Sequence, residues 1–257
     1  MDSTNVLDAP LATIVTPIAC DHEHFLGTDI VGIAEQKAGI MRPETPCFSA
    51  GQTAEVASAL QSCADKIGAP LMIAGRDFEI RASANGGGTL ITPENRIDMP
   101  RPGLAGAHQI DNAGLALMAL QATRHYTADG IANARWPGRV QHLDNGALAD
   151  AWPHRQIWLD GAHNAHGAHA LANTLSGIHD GKWNVICGAL NTRDPAEFLA
   201  PLAPLVGRVT CLTIPDQDAS LSAAEMRDAA TAQGLNASTA ATLATAFDLS
   251  LIHISEP

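Results

Sequence analysis

Aromatic residues are scarce in this 257-residue chain, at 4% with a single tyrosine, and charged residues make up only 16%. With few bulky rings and abundant alanine and glycine, the interior must be closed by helices packed tightly on sheets. The low charge and an apolar content of 46% exclude a disordered chain. Cations are outnumbered, 15 Lys and Arg against 27 Asp and Glu, and the formal net charge of -12 argues against nucleic acid or an anionic membrane as partner. It leaves nucleotides open, because phosphate sites are built locally from backbone amides, metals and a few cations. The five cysteines, Cys20, Cys47, Cys63, Cys187 and Cys211, are odd in number and scattered, with no Cys-x-x-Cys. They read as buried thiols of a reducing cytosol. There is no run of eighteen apolar residues and no signal peptide, so the expected location is cytoplasmic with no membrane partner. No Gly-x-Gly-x-x-Gly follows a strand, which excludes a dinucleotide-binding domain, and no Gly-x-x-x-x-Gly-Lys-Ser/Thr occurs among the 22 glycines. The nearest glycine cluster, Asn85 to Gly88, has extended segments on either side and reads as a hairpin turn.

The length suits one large or two modest domains. Strand-forming residues from Leu11 to Cys20 lead into Asp21-His22-Glu23-His24-Phe25-Leu26-Gly27. A helix follows, its apolar face marked by Ile30, Ile33 and Ala34 and its start by Thr28 as cap. Lys37-Ala38-Gly39-Ile40 lies near its end. Thr45 to Ala50 reads as a strand. Val56, Leu60, Ala64 and Ile67 recur at helical spacing, with Thr53 as cap and Gly68 as stop. Pro70 to Ala74 is a further strand. This alternation predicts an α/β fold with parallel pairing and right-handed crossovers. The stretch Gly106 to Ala113 is expected to open a long helix running to about Thr127, and a linker is expected from Asp129 to Pro137. A second α/β region follows, with strands ending at Asp160, at Ala189 and at Ile214. Three units are expected: 1–130, 131–249, and a tail, 250–257, that reads as non-native sequence. His163, His166 and His169 invite a zinc reading, but positions six apart on a helix drift off one face and no fourth ligand is near. His166 and His169 are expected to face solvent.

Five motifs occur in a set order: Asp21-His22, Lys37-Ala38-Gly39-Ile40, His108-Gln109-x-x-Asn112-Ala113, Trp136-Pro137-Gly138-Arg139 and Asp160-Gly161-Ala162-His163-Asn164. Together they resemble the Mur-ligase superfamily, and most closely its folate branch, the dihydrofolate synthases and folylpolyglutamate synthases. The resemblance implies a central parallel-sheet domain, present in part, followed by a smaller α/β ligase domain. It implies ADP-forming ligation of L-glutamate to dihydropteroate or to folates through an acyl phosphate, by a monomer whose partners are those small molecules and ATP. By the same resemblance His22 and Lys37 are the catalytic and metal residues, holding Mg2+ with Lys37 carbamylated. A carbamate replaces an ammonium that would repel the ion with oxygens that suit it. Asn112, Arg139 and Asp160 would hold the nucleotide, while His163 and Asp2, in Asp2-Ser3-Thr4-Asn5, would meet substrate. The chain departs from the family at Ala165, where proline is usual, and at Arg193, where lysine is frequent. It also lacks the family's Glu-Val-Gly-x-Gly-Gly-Arg segment. The expectation is therefore a chain truncated at its N-terminus and inactive by itself. The alternatives are a peptidoglycan-type Mur ligase and a non-catalytic remnant.

Overall fold

The computed structural model describes residues 5–19, 29–123 and 129–251. They fall into two compact units divided between Gln141 and His142, against a boundary of 130/131 read from the sequence.

The first unit opens with β1 (Thr13–Val15), α1 (Ile30–Ala38), β2 (Cys47–Ser49), α2 (Ala54–Ile67) and β3 (Leu71–Ile73). The three strands form a parallel sheet in the order β1-β2-β3, with Ile14 beside Phe48 and Phe48 beside Met72. Strand periodicity sorts their side chains. Val15, Cys47 and Leu71 pack with Ala34, Val56 and Leu60 of the two helices. Ile14, Phe48 and Met72 turn to the opposite core. Helix α2 begins and ends where its sequence dictates. Thr53 accepts from the Val56 amide, and Gly68 takes the left-handed conformation, φ 70°, that a side chain would strain. Helix α1 is capped one residue later than the pattern suggests. Asp29 accepts from the Val31 amide, whereas Thr28 lies outside the described residues.

The second face of that sheet is covered by a hairpin sheet and a helix. β4 (Glu79–Ala82), β5 (Gly88–Ile91) and β6 (Arg96–Met99) pair antiparallel, with the Asn85-Gly86-Gly87 turn where it is expected. Asn85 accepts from the Gly87 amide, and Gly86 sits at φ 82°. Helix α3 (His108–Ala122) closes this core with Leu115, Leu117 and Met118. Its described end is Ala122, with Thr123 as C-cap; the expected end at Thr127 lies outside the described residues. The stretch read as a linker begins with a short helix, α4 (Asp129–Asn133), whose buried Ile131 belongs to the same core and accepts from the Gly103 amide.

A further tether is set by Arg42. Its guanidinium donates to the carbonyls of Gly39, Ile40 and Met41, where α1 ends, and to Asn5 Oδ1 (2.6 Å) and the Leu7 carbonyl. Asn5 completes the knot by donating to the Gly39 carbonyl. A planar fork suits a helix end, where carbonyls lack partners. Arg42→Met keeps the stem and removes the fork, and is expected to destabilise the unit by about 2 kcal/mol. Urea unfolding would measure the loss, and amide exchange should rise at residues 5–8 but not in α2.

The second unit starts with β7 (Gln141–Leu143), α5 (Ala147–Ala151) and β8 (Ile157–Leu159). β7 and β8 pair with each other in a two-stranded sheet, with the rings of His142 and Trp158 4.7 Å apart. Helix α6 (Ala165–Ile178) leads to β9 (Trp183–Cys187), α7 (Pro195–Leu202), β10 (Val206–Cys211), α8 (Ala223–Ala232), β11 (Ala237–Thr239) and α9 (Leu243–Leu251). Strands β9, β10 and β11 form a parallel sheet, order β11-β10-β9. Leu175, Leu199, Leu202 and Met226 pack onto it around Val209 and Cys211. Asp194 caps α7, and Ser222 with Glu225 forms a reciprocal capping box on α8. Ser250 and Leu251, assigned to the tail, continue α9. Cys187 and Cys211 are ladder partners. Donation to Cys211, together with burial, pushes the Cys187 thiol well up.

Candidate active site

In the first unit Lys37 and Asn112 lie near the ends of two helices. Lys37 stands half-buried in the last turn of α1 and has a partner of its own. His22 and Asp2 lie outside the described residues. Among the described residues no group of three or more His, Cys, Asp or Glu side chains is placed to hold a metal ion.

Helix α3 begins without a side-chain cap, at Ala107. Its first amides are left to other partners, and its N-terminal end carries partial positive charge. Asn112 is exposed on the second turn and donates from Nδ2 to Gln109 Oε1 at 3.1 Å. Gln109 is 7% exposed, and its Nε2 donates to His108 Nε2 at 2.9 Å. Burial pushes the Asp111 carboxyl up. The value of Gln109 was not read from the sequence. The available signal was its spacing of three from Asn112, which puts both on one helical face.

Arg139 is exposed on the segment between α4 and β7. Gly138 at φ 70° turns the chain there, and its amide is held by Gln141 Oε1. Val140, buried, sits at φ 43°, a strained conformation for a β-branched residue.

In the second unit the turn after β8 is built by its own side chains. Asp160 Oδ1 accepts from the Ala162 amide at 2.8 Å, and Asn164 Oδ1 accepts from the Gly167 amide at 2.7 Å, capping α6. His163 Nδ1 lies 2.8 Å from the Gly161 carbonyl. The carbonyl can only accept, so Nδ1 carries the proton and Nε2 is left as the acceptor. Arg193, from the segment before α7, donates to the His163 carbonyl at 3.3 Å. The structure thus brings Asp160, His163, Asn164 and Arg193 together. The sheet context differs from the expectation, because β8 pairs with β7 and not with the parallel β9-β10-β11 sheet. His166 and His169 face solvent. A cleft of ≈ 590 Å³ opens at the other end of β8, beside Gln156 and His154. It contains none of these residues and lies away from the carboxyl end of the strand, where α/β folds place ligands.

Two parallel β-α-β-α-β sheets, the second preceded by a capped Asp-Gly-Ala-His-Asn turn, are an arrangement shared with Mur-type ligases. Residues 138–257 match the family model "Mur ligase, glutamate ligase domain". The dihydrofolate synthase/folylpolyglutamate synthase of Mycobacterium tuberculosis is 32% identical over 232 residues, 81% of this chain and 45% of that protein. The structure of E. coli FolC in complex with DHPP and ADP superimposes with a TM-score of 0.82 at 27% identity, covering 98% of this chain and 57% of that one. A bifunctional folylpolyglutamate synthase/dihydrofolate synthase with Mn, AMPPNP and L-glutamate bound gives 0.80 at 26% identity, over 98% and 58%. The chain is similar, over most of its length, to proteins of the folate branch of the Mur-ligase superfamily. It spans about half the length of these relatives.

Proposed function

We propose that this chain supplies nucleotide- and glutamate-binding parts of an ADP-forming ligase that joins L-glutamate to dihydropteroate or to a folate. The observation that carries this reading is the Asp160–Asn164 turn. It holds a half-buried carboxylate whose one oxygen is engaged by the Ala162 amide, beside an imidazole with a fixed tautomer. A carboxylate in this turn suits ribose hydroxyls, and His163 Nε2 suits the ammonium or amine of an incoming amino acid. Asn112 serves the nucleotide base and Arg139 its phosphates, for which a permanently charged fork is the right donor. In the reaction, the folate-type carboxylate attacks the γ-phosphorus of ATP and ADP leaves. The glutamate amine then displaces phosphate from the acyl phosphate. Carbamylation of Lys37 and a contact of Asp2 with substrate belong to the same proposal.

Asp160→Asn keeps an acceptor for the Ala162 amide and removes the charge. It is expected to weaken Mg·ADP binding about tenfold, the loss of one charge-assisted hydrogen bond, in calorimetric titration of the chain. An unchanged affinity would remove Asp160 from the nucleotide site. The chain by itself is expected to transfer no labelled glutamate to dihydropteroate or tetrahydrofolate with ATP, since its 257 residues hold no Gly-x-x-x-x-Gly-Lys loop. Turnover by the chain alone would sink that expectation.

A further inference from the structure

We infer that Gln109 is a specificity-determining positioning residue, which fixes the amide of Asn112 so that its outward edge selects adenine. This rests on the reading that Asn112 serves the nucleotide base. An exposed asparagine can turn its amide over at little cost, and the two orientations present opposite patterns of donor and acceptor. Here one Nδ2 hydrogen is committed to Gln109 Oε1. The remaining edge offers Oδ1 as acceptor and the second Nδ2 hydrogen as donor, the pattern that pairs with the 6-amino group and a ring nitrogen of adenine. A 6-oxo purine offers an acceptor where adenine has its amino group, so it loses one of the two bonds.

Gln109 can hold that orientation because it is itself held. At 7% exposure it has no room to rotate freely, and its Nε2 donates to His108 Nε2 at 2.9 Å. A glutamine facing the core would usually be an aliphatic residue. Burying an amide costs free energy unless both its ends are hydrogen-bonded, and here both ends bond to neighbours on the same helix. The chain His108–Gln109–Asn112 runs from acceptor to donor and again from acceptor to donor. The orientation of the last amide is therefore set by the first two side chains.

Two substitutions separate orientation from packing. Gln109→Met fills the same volume and offers Asn112 no acceptor. Gln109→Glu keeps the acceptor at the position of Oε1 and is the worse choice for packing. Affinities of the 257-residue chain for ADP and IDP would be measured by calorimetry. The ratio in favour of ADP is expected to fall about fivefold, the worth of one hydrogen bond of about 1 kcal/mol, in the methionine variant and to be retained in the glutamate variant. A methionine variant with the wild-type ratio would overturn the inference. Chains that bind neither nucleotide would count against the nucleotide reading and not against the tether, which nitrogen-15 NMR tests separately. The Asn112 side-chain amide signals should move in Gln109→Met and stay in Gln109→Glu. Signals unmoved by methionine would overturn the tether.

Discussion

Leu117→Ala is expected to destabilise the first unit by about 3 kcal/mol. Leu117 is fully buried in α3, within the cluster formed by Phe48, Phe78, Leu90 and Met118. Truncation removes three carbons from water-free surroundings and leaves a cavity. That cluster joins a helix to two different sheets, so its walls are fixed from several sides and can collapse only in part. The cost then combines the transfer term with the cavity term, in the range of about 2–5 kcal/mol for such changes. Amide exchange in α3 would report it, as faster exchange of the most protected sites at a common free-energy offset. An offset below about 1 kcal/mol would mean that the core repacks around the gap.

Gly114→Val should cost about as much, for the opposite reason. A glycine in a helix interior is unfavourable by about 1 kcal/mol relative to alanine, so its presence in α3 needs a tertiary cause. A Cβ at this position would fall 2.5 Å from Ile80 Cδ1 and 2.6 Å from Ile80 Cγ1. Helix α3 rides directly on strand β4 there, and any side chain must displace Ile80 or force the two apart. The expected loss is about 3 kcal/mol from overpacking. The partner can be identified by a double-mutant cycle. Ile80→Ala alone destabilises, yet in the Gly114→Val background it should recover about 1–2 kcal/mol. Strict additivity of the two changes in urea unfolding would show that the strain lies elsewhere.

Local chemistry was readable in the residues themselves. Thr53 and Gly68 bound α2, Asn85 with its glycines makes the hairpin turn, and Asn164 starts α6, because caps and turns are decided within four residues. The strand–helix alternation likewise led to two parallel three-stranded sheets, since a short crossover leaves few other arrangements. Of the residues read as a site, Asp160 and His163 stand in a turn whose bonds to the Ala162 amide and the Gly161 carbonyl lie within the motif, while Arg193 reaches the His163 carbonyl from thirty residues away. His22 and Asp2 fall outside the described residues. What only the tertiary structure decided involves partners distant in sequence. Strand β8 pairs with β7 and leaves the parallel sheet, Arg42 binds residues 5 and 7 across the end of α1, and Gly114 receives Ile80. No local propensity encodes such contacts. Each depends on which surfaces the packed elements bring within hydrogen-bonding or van der Waals distance, and the chain acquires that information only when its cores close.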